Sequence, residues 1–192
     1  SQVRDCYLPV SGLVSLLYTL QDGTSTEIGV IGNDGCVGVA ILLGGGTTPS
    51  RAVVQIAGQA YRIASEVLLT EFRQGGQLEH VLLRYIQALM TQMSQTAVCN
   101  RHHTVEQQLS RWLLLALDRV PSRRIAMTQA LIGSILGVRR AGVTAAARRL
   151  QEAGIIHYAR GQIVVPDRAK LEAHACECYA VVKREADRLA SR

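Results

Sequence analysis

The sequence predicts an α+β protein in three parts: a region of short strands, a long helix, and a helical domain that carries two further short strands. Three observations carry this. Turn residues break positions 6–64 into short β-favouring runs. From Gln77 onward, apolar residues recur every three or four positions. Finally, residues 133–156, GSILGVRRAGVTAAARRLQEAGII, place two glycines four apart and two arginine pairs nine apart.

The strands come first. LVSLLYTLQ and TEIGVIG flank Asp22-Gly23, a hairpin signal, and RAVVQIAGQAYRI supplies two more short strands. Several short strands at this spacing suggest a sandwich or small barrel. Ser65 is placed to cap a short helix, EVLLTEF, which Gly75-Gly76 closes. In the long helix, Leu78, Leu82, Tyr85, Leu89, Met93 and Thr96 or Ala97 follow a near-heptad spacing. A seam between two copies of the chain is therefore expected at Leu82, Tyr85, Leu89 and Met93. A further helix, VEQQLSRWLLLALDRV, ends at Pro121, and DRAKLEAHACECYAVVKREADRLASR reads as one closing helix. The expected divisions are residues 1–76, 77–105 and 106–192.

Charge separates the two ends of the chain. Residues 1–100 hold five arginines against seven acids, a net of −2; residues 101–192 hold fourteen arginines and two lysines against eight acids, a net of +8. A half so basic calls for a polyanionic partner, most often nucleic acid. Arginine outnumbers lysine nineteen to two, and its planar fork suits phosphate and guanine.

The glycines explain how that charge is presented. Thr128 caps a helix in which Gly133 costs about 1 kcal/mol against alanine, a cost accepted where another helix crosses closely. Gly137 supplies the left-handed turn out of that helix. Ile132, Leu136, Val138 and Val143 form the small core between the two axes. This is helix-turn-helix spacing. The second helix starts near Arg139, and Arg139, Arg140, Gly142 and Thr144 are the expected base-reading positions in a major groove about 12 Å wide. Thr128 and Gln129 at a helix N-terminus, Arg148 farther along, and Arg160 at the Arg160-Gly161 turn are the expected phosphate contacts.

MTQALIGSILGVRRAGVTAAARRLQEAGII resembles the helix-turn-helix of the cAMP receptor protein/FNR (Crp/Fnr) family of bacterial transcription regulators, and HYARGQIVV resembles its wing. The element order is similar along essentially the whole chain. The resemblance implies an N-terminal β-roll of jelly-roll, cyclic-nucleotide-binding type acting as sensor, and a homodimer reading a pseudo-palindromic double-stranded site. A signal at the β-roll would reset the two long helices and so the spacing of the recognition helices. RNA polymerase is a partner the resemblance allows. Departures matter too. Where cAMP-responsive members read bases with arginine, glutamate and arginine, this chain has Arg140, Ala141 and Ala145, so a different DNA sequence is expected. The glycine-glutamate pair of the nucleotide pocket is Gly38-Val39, and the arginine-serine pair is reversed as Ser50-Arg51. An effector other than cAMP is expected, at Gly38, Ser50 and Arg51. Nothing matches the cysteine cluster of the iron–sulfur members.

Other chemistries have weaker support. CNRHH puts Cys99, His102 and His103 on one helical face, and HACEC adds His174, Cys176 and Cys178. In a continuous helix Cys176 and Cys178 would point about 200° apart, and histidines at a domain junction are the preferred reading; no metal site and no cofactor is assigned. GGGTTPS lacks the lysine of a phosphate loop; with neither paired carboxylates nor a nucleophile motif, no catalytic site is expected. The alternatives are a cupin-like small-molecule or metal-binding protein whose basic domain serves other interactions, and a thiol- or metal-responsive version of the same regulator. The apolar runs are far shorter than the roughly 20 residues of a membrane span, so no membrane partner is expected. Five scattered cysteines and the lack of a leader pattern point to a reducing cytoplasm. Because the first residues already read as mid-β-region, a segment upstream of them is expected.

Overall fold

The Asp22-Gly23 signal is where the chain reverses. In the computed structural model, which describes residues 2–191, β1 (Asp5–Pro9) is followed by β2 (Leu13–Thr19) and β3 (Ser25–Ile31), antiparallel with Thr19 opposite Ser25. Asp22 accepts the Thr24 N–H at 2.9 Å, and Gly23 takes the left-handed φ of 85° that the turn demands. β4 (Arg51–Ile56) pairs with the other edge of β2, and β5 (Ala60–Ala64) pairs with β1. The strands thus form a three-stranded sheet, β3-β2-β4, and a two-stranded one, β1-β5.

Next comes α1 (Ser65–Arg73). Ser65 does not cap it: Ala64 holds the cap position, while the Ser65 hydroxyl and N–H donate to the carbonyls of Val3 and Arg4 at 3.3 and 3.0 Å. The incoming chain before β1 has claimed that side chain. After Gly75 and Gly76, both left-handed, α2 runs unbroken from Gln77 to His102.

The expected seam on α2 needs correcting. Leu82 and Leu89 are buried within the chain itself. Leu82 joins Cys6, Cys36, Ile41 and Leu68, and Leu89 is packed beside Gly29 of β3. Tyr85 turns inward to donate to the Cys36 carbonyl at 2.9 Å, and Met93 is half-buried. A helix lying on its own β-layer spends its most apolar stripe there first. What it leaves outward includes Leu83 and Met90, 47% and 63% exposed, and Ala97, seven residues apart each, beside Leu78, Val81 and Val98.

Then follow α3 (Val105–Leu117), capped by a reciprocal Thr104–Gln107 box, β6 (Arg124–Ala126), α4 (Gln129–Leu136), α5 (Arg140–Glu152), β7 (His157–Ala159) and β8 (Gln162–Val164). β6 has no counterpart in the sequence pattern; it makes the wing a three-stranded sheet, β6-β8-β7. The tail is two helices, α6 (Arg168–His174) and α7 (Glu177–Ala190), because Ala175 and Cys176 are extended. That break overturns the opposed cysteines: Cys176 and Cys178 face the same neighbours, and with Cys99 they form one buried cluster. No single helix among the described residues is long and apolar enough to cross a membrane.

A single apolar core joins Leu13 and Val30 of the strands to Leu109, Trp112 and Leu113 of α3 and to the winged helix. Polar contacts seal the same junction. Gln92 exchanges two hydrogen bonds with the Val30 backbone, at 2.8 and 3.1 Å. Arg119 forks onto Asp34 at 3.0 and 2.6 Å. Trp112 Nε1 donates to Glu27 at 2.9 Å, and Ser15 Oγ donates to the other Glu27 oxygen.

Burial pushes the Glu27 carboxyl up to about 7; the bonds from Ser15 and Trp112 and the charges of Arg111 and Arg119 oppose this without cancelling it. The folded chain therefore holds a proton that the unfolded chain releases near 4.5, and stability drains away as pH rises from there to about 7. Glu27→Gln removes that titration. In urea melts across this range, wild type should lose on the order of 2–3 kcal/mol relative to the variant; parallel pH profiles would place the titration elsewhere.

Candidate nucleic-acid interface

The sequence builds the DNA-facing end from two caps and a turn. Thr128 Oγ1 accepts the Leu131 N–H at 3.2 Å and opens α4, and Gly137 closes it at φ 66°. The axes of α4 and α5 then differ by 107°. Gly133 is needed here for a reason slightly different from the expected helix crossing. A Cβ on it would stand 2.9 Å from the Val138 carbonyl of the turn but 3.8 Å from Val143 of α5. It is the turn that presses on the helix. A Cβ on Gly137 would meet the Thr26 hydroxyl at 2.6 Å, so strand β3 sits directly on the turn.

α5 is two-faced. Val143, Ala146, Ala147 and Leu150 are buried, while Arg139, Arg140, Ala141, Thr144 and Arg148 are exposed, and nothing lies within 4 Å of where a Gly142 side chain would start. Thr144 Oγ1 lies 2.8 Å from Gln129 Oε1 and 3.0 Å from the Arg140 carbonyl. It thereby ties the two helices together across the turn. The second arginine pair is engaged by acids: Arg149 meets Glu106 at 2.5 Å, and Arg148 stands 3.8 Å from Glu152 at the exposed surface.

The wing completes the site. Arg160 itself adopts a positive φ of 51°, followed by Gly161 at 73°, a tight tip that projects the guanidinium. Met127 N–H donates to the Gly161 carbonyl at 2.7 Å, and Tyr158 OH to the Met127 carbonyl at 2.9 Å, locking the wing against the start of α4. Between them opens a cavity of about 350 Å³ lined by Thr128, Gln129, Arg140, Tyr158 and Arg160. Two arginines and the first N–H groups of α4 face one space, the makings of an anion site. Four of the expected contacts, Thr128, Gln129, Arg140 and Arg160, are thus brought together, while Arg148 lies apart. Tyr158 and Gln151, whose side chain accepts the Tyr158 N–H at 2.8 Å, escape sequence reasoning. The only signal for them is an aromatic residue two before the wing turn.

Comparison with known domains agrees with this geometry at both ends. A Crp-like helix-turn-helix domain is matched over residues 107–174, and a cyclic nucleotide-binding domain over residues 1–74. The chain belongs to the Crp/Fnr family of transcription regulators. No curated protein matches its sequence. Solved structures share the fold of this Crp/Fnr protein at low identity. FixK2 from Bradyrhizobium japonicum is 19% identical with a TM-score of 0.77, the match covering 92% of this chain and 89% of that one. A CRP-family transcriptional regulator from Thermus thermophilus, TTHB099, is 18% identical with a TM-score of 0.74, covering 91% and 89%. The c-di-GMP responsive global regulator CLP from Xanthomonas campestris is 16% identical with a TM-score of 0.68, covering 86% of each.

In the β-region of this Crp/Fnr chain, each residue expected around an effector has its own local setting. Gly38 is left-handed, and a Cβ there would meet the Asp5 carbonyl and Cys6 Sγ at 3.0 and 3.1 Å, so its place is structural. Ser50 bonds Thr48 at 2.7 Å, and Arg51 is exposed at the start of β4.

Gly133→Val provides the test of the turn. With overpacking costing about 1–3 kcal/mol, the variant should melt at lower temperature and lose DNA binding; unchanged stability would mean that the Val138 carbonyl moves aside freely.

Proposed function

We propose that this regulator is a homodimer in the cytoplasm that binds a pseudo-palindromic DNA site under the control of a signal other than cAMP. The cavity shared by the α4 N-terminus, Arg140 and the wing arginine is the observation that carries the reading. It has the size, the sign and the N–H donors to take a backbone phosphate. With a phosphate seated there, the open face of α5 enters the major groove. Arg139, Arg140 and Thr144 then meet base edges, and bare Gly142 permits close approach. Arg148 and Arg160 hold the backbone on either side. Residues 1–76 serve as the sensor, 77–105 as the dimer helix and 106–192 as the DNA-binding domain. Two copies pair through Leu83, Met90 and Ala97, the heptad-spaced apolar stripe that α2 leaves outward. Val39 stands where cAMP-binding relatives of the family carry the ribose-binding acid, which favours another effector.

Selection from a random duplex library should return a palindrome with half-sites about 34 Å apart. On that site Arg140→Ala should cost about 1–3 kcal/mol and relax one base position, while Arg160→Ala should weaken all sequences alike and lower the salt dependence by about one ion. Enrichment of no sequence, with steep salt dependence, would reduce the reading to nonspecific binding. Met90→Glu should convert the dimer to monomer in sedimentation, whereas a dimer that survives it pairs through another face.

A further inference from the structure

One cluster of reactive side chains lies outside the DNA-facing surface. Cys99 in the last turn of α2, His103 just beyond it, and Cys176 and Cys178 at the start of α7 offer four ligand atoms that all lie within 4.8 Å of one another. Cys99 Sγ is 3.5 Å from Cys176 Sγ, and Cys178 Sγ is 3.5 Å from His103 Nδ1. A tetrahedral zinc ion, with bonds of about 2.3 Å to sulfur and 2.0–2.1 Å to nitrogen, separates its ligand atoms by about 3.5–3.8 Å. At 3.5 Å the Cys99 and Cys176 sulfurs are in contact but unbonded, against about 2.05 Å in a disulfide. An iron–sulfur cluster interposes its own atoms and sets its cysteines wider than this.

Three further features fit a metal rather than a chance meeting of apolar thiols. His103 turns its other nitrogen, Nε2, to the Glu177 carboxylate at 3.4 Å, the carboxylate–histidine–metal arrangement that fixes which nitrogen faces the ion. The three cysteines are buried, 0–5% exposed, so four protein ligands close the site. Third, Arg111 of α3 is 2% exposed, bonds Thr96 at 3.1 Å and has no partner for its Nε among the described residues. Arg111 lies close enough to Cys99 and Cys178 for its charge to act on both. A divalent ion with three thiolates carries one net negative charge, which a buried guanidinium balances.

We infer that Cys99, His103, Cys176 and Cys178 form a structural zinc site that clamps the end of the long helix to the last helix of the DNA-binding domain. Binding displaces three thiol protons and leaves the ion without an open position, so the site holds structure and has no catalytic vacancy. The inference does not depend on the DNA reading.

Its test is metal content. The full chain, purified under reductant without a histidine tag, should carry one zinc per chain by mass spectrometry, and Cys36→Ser, outside the cluster, should keep it. Cys176→Ser/Cys178→Ser should lose it. Because that variant risks misfolding, wild-type protein stripped by a chelator provides the second reading. It should melt at lower temperature than the loaded protein, and Co²⁺ added to it should give the intense visible bands of tetrahedral thiolate cobalt. Protein that takes up neither ion, a Cys99–Cys176 disulfide under reductant, or zinc retained by the double variant would each overturn the site.

Discussion

α3 has no free side, and the rest of the chain is arranged to enclose it. Every residue from Gln108 to Ala116 is buried, a pattern that a helix can satisfy only when other elements surround it. Leu13, Val30 and Glu27 of the strands meet it on one side, α4 and α5 on another, α6 and α7 on a third. Trp112 at its centre is 1% exposed, and a buried indole N–H needs an acceptor. Glu27 of β3 supplies it and is itself held by Ser15 of β2. A carboxyl in this position is costly when ionised, and the hydrogen bonds it takes from the described residues come from two neutral donors. The strands and the helix-turn-helix domain therefore share one core instead of meeting at a wet interface.

That shared core gives the strands direct purchase on the DNA-facing turn. Thr26 of β3 lies against Gly137, one residue before the turn leads into Val138 and α5. Gln129 and Thr144 then lock α4 to α5, and the Tyr158–Met127 bond locks the wing to α4. The path from sheet to recognition helix is one hairpin edge, one glycine and one turn. Contact of this kind supplies a route for a signal, and coupling along it requires a second packed arrangement in which Thr26 and Gly137 separate.

Much of this is legible in the sequence where a local rule is strong. Asp22-Gly23, Gly75-Gly76, Thr128 and Gly137 each encode a backbone requirement that no distant contact can override, and each lies where its chemistry places it. The exposed and buried faces of α5 follow from the arginines and alanines for the same reason. What sequence does not resolve depends on partners far along the chain. Leu82 and Leu89 read as a dimer seam because periodicity shows that a helix has an apolar face and is silent on what that face covers. Ser65 is lost as a cap to carbonyls of residues 3 and 4. β6 is too short to carry a pattern and exists because β8 offers an edge. The cysteines stand apart only on the assumption of one helix across Ala175 and Cys176, where two extended residues bring them together.

Three ties of different chemistry cross from the strands and α2 into the helical domain. Glu27–Trp112 is a hydrogen bond inside a dry core, Asp34–Arg119 a forked ion pair, and the cysteine–histidine cluster a site for a metal. The first two are poor places for a small effector to act. Glu27 is 4% exposed, and Arg119, 6% exposed at its side chain, would be left as an uncompensated buried charge if Asp34 were withdrawn. The cluster differs because its strength is not fixed by the fold. It depends on whether an ion is present and whether three thiols are reduced, so occupancy alone can change how firmly α7 is held to α2.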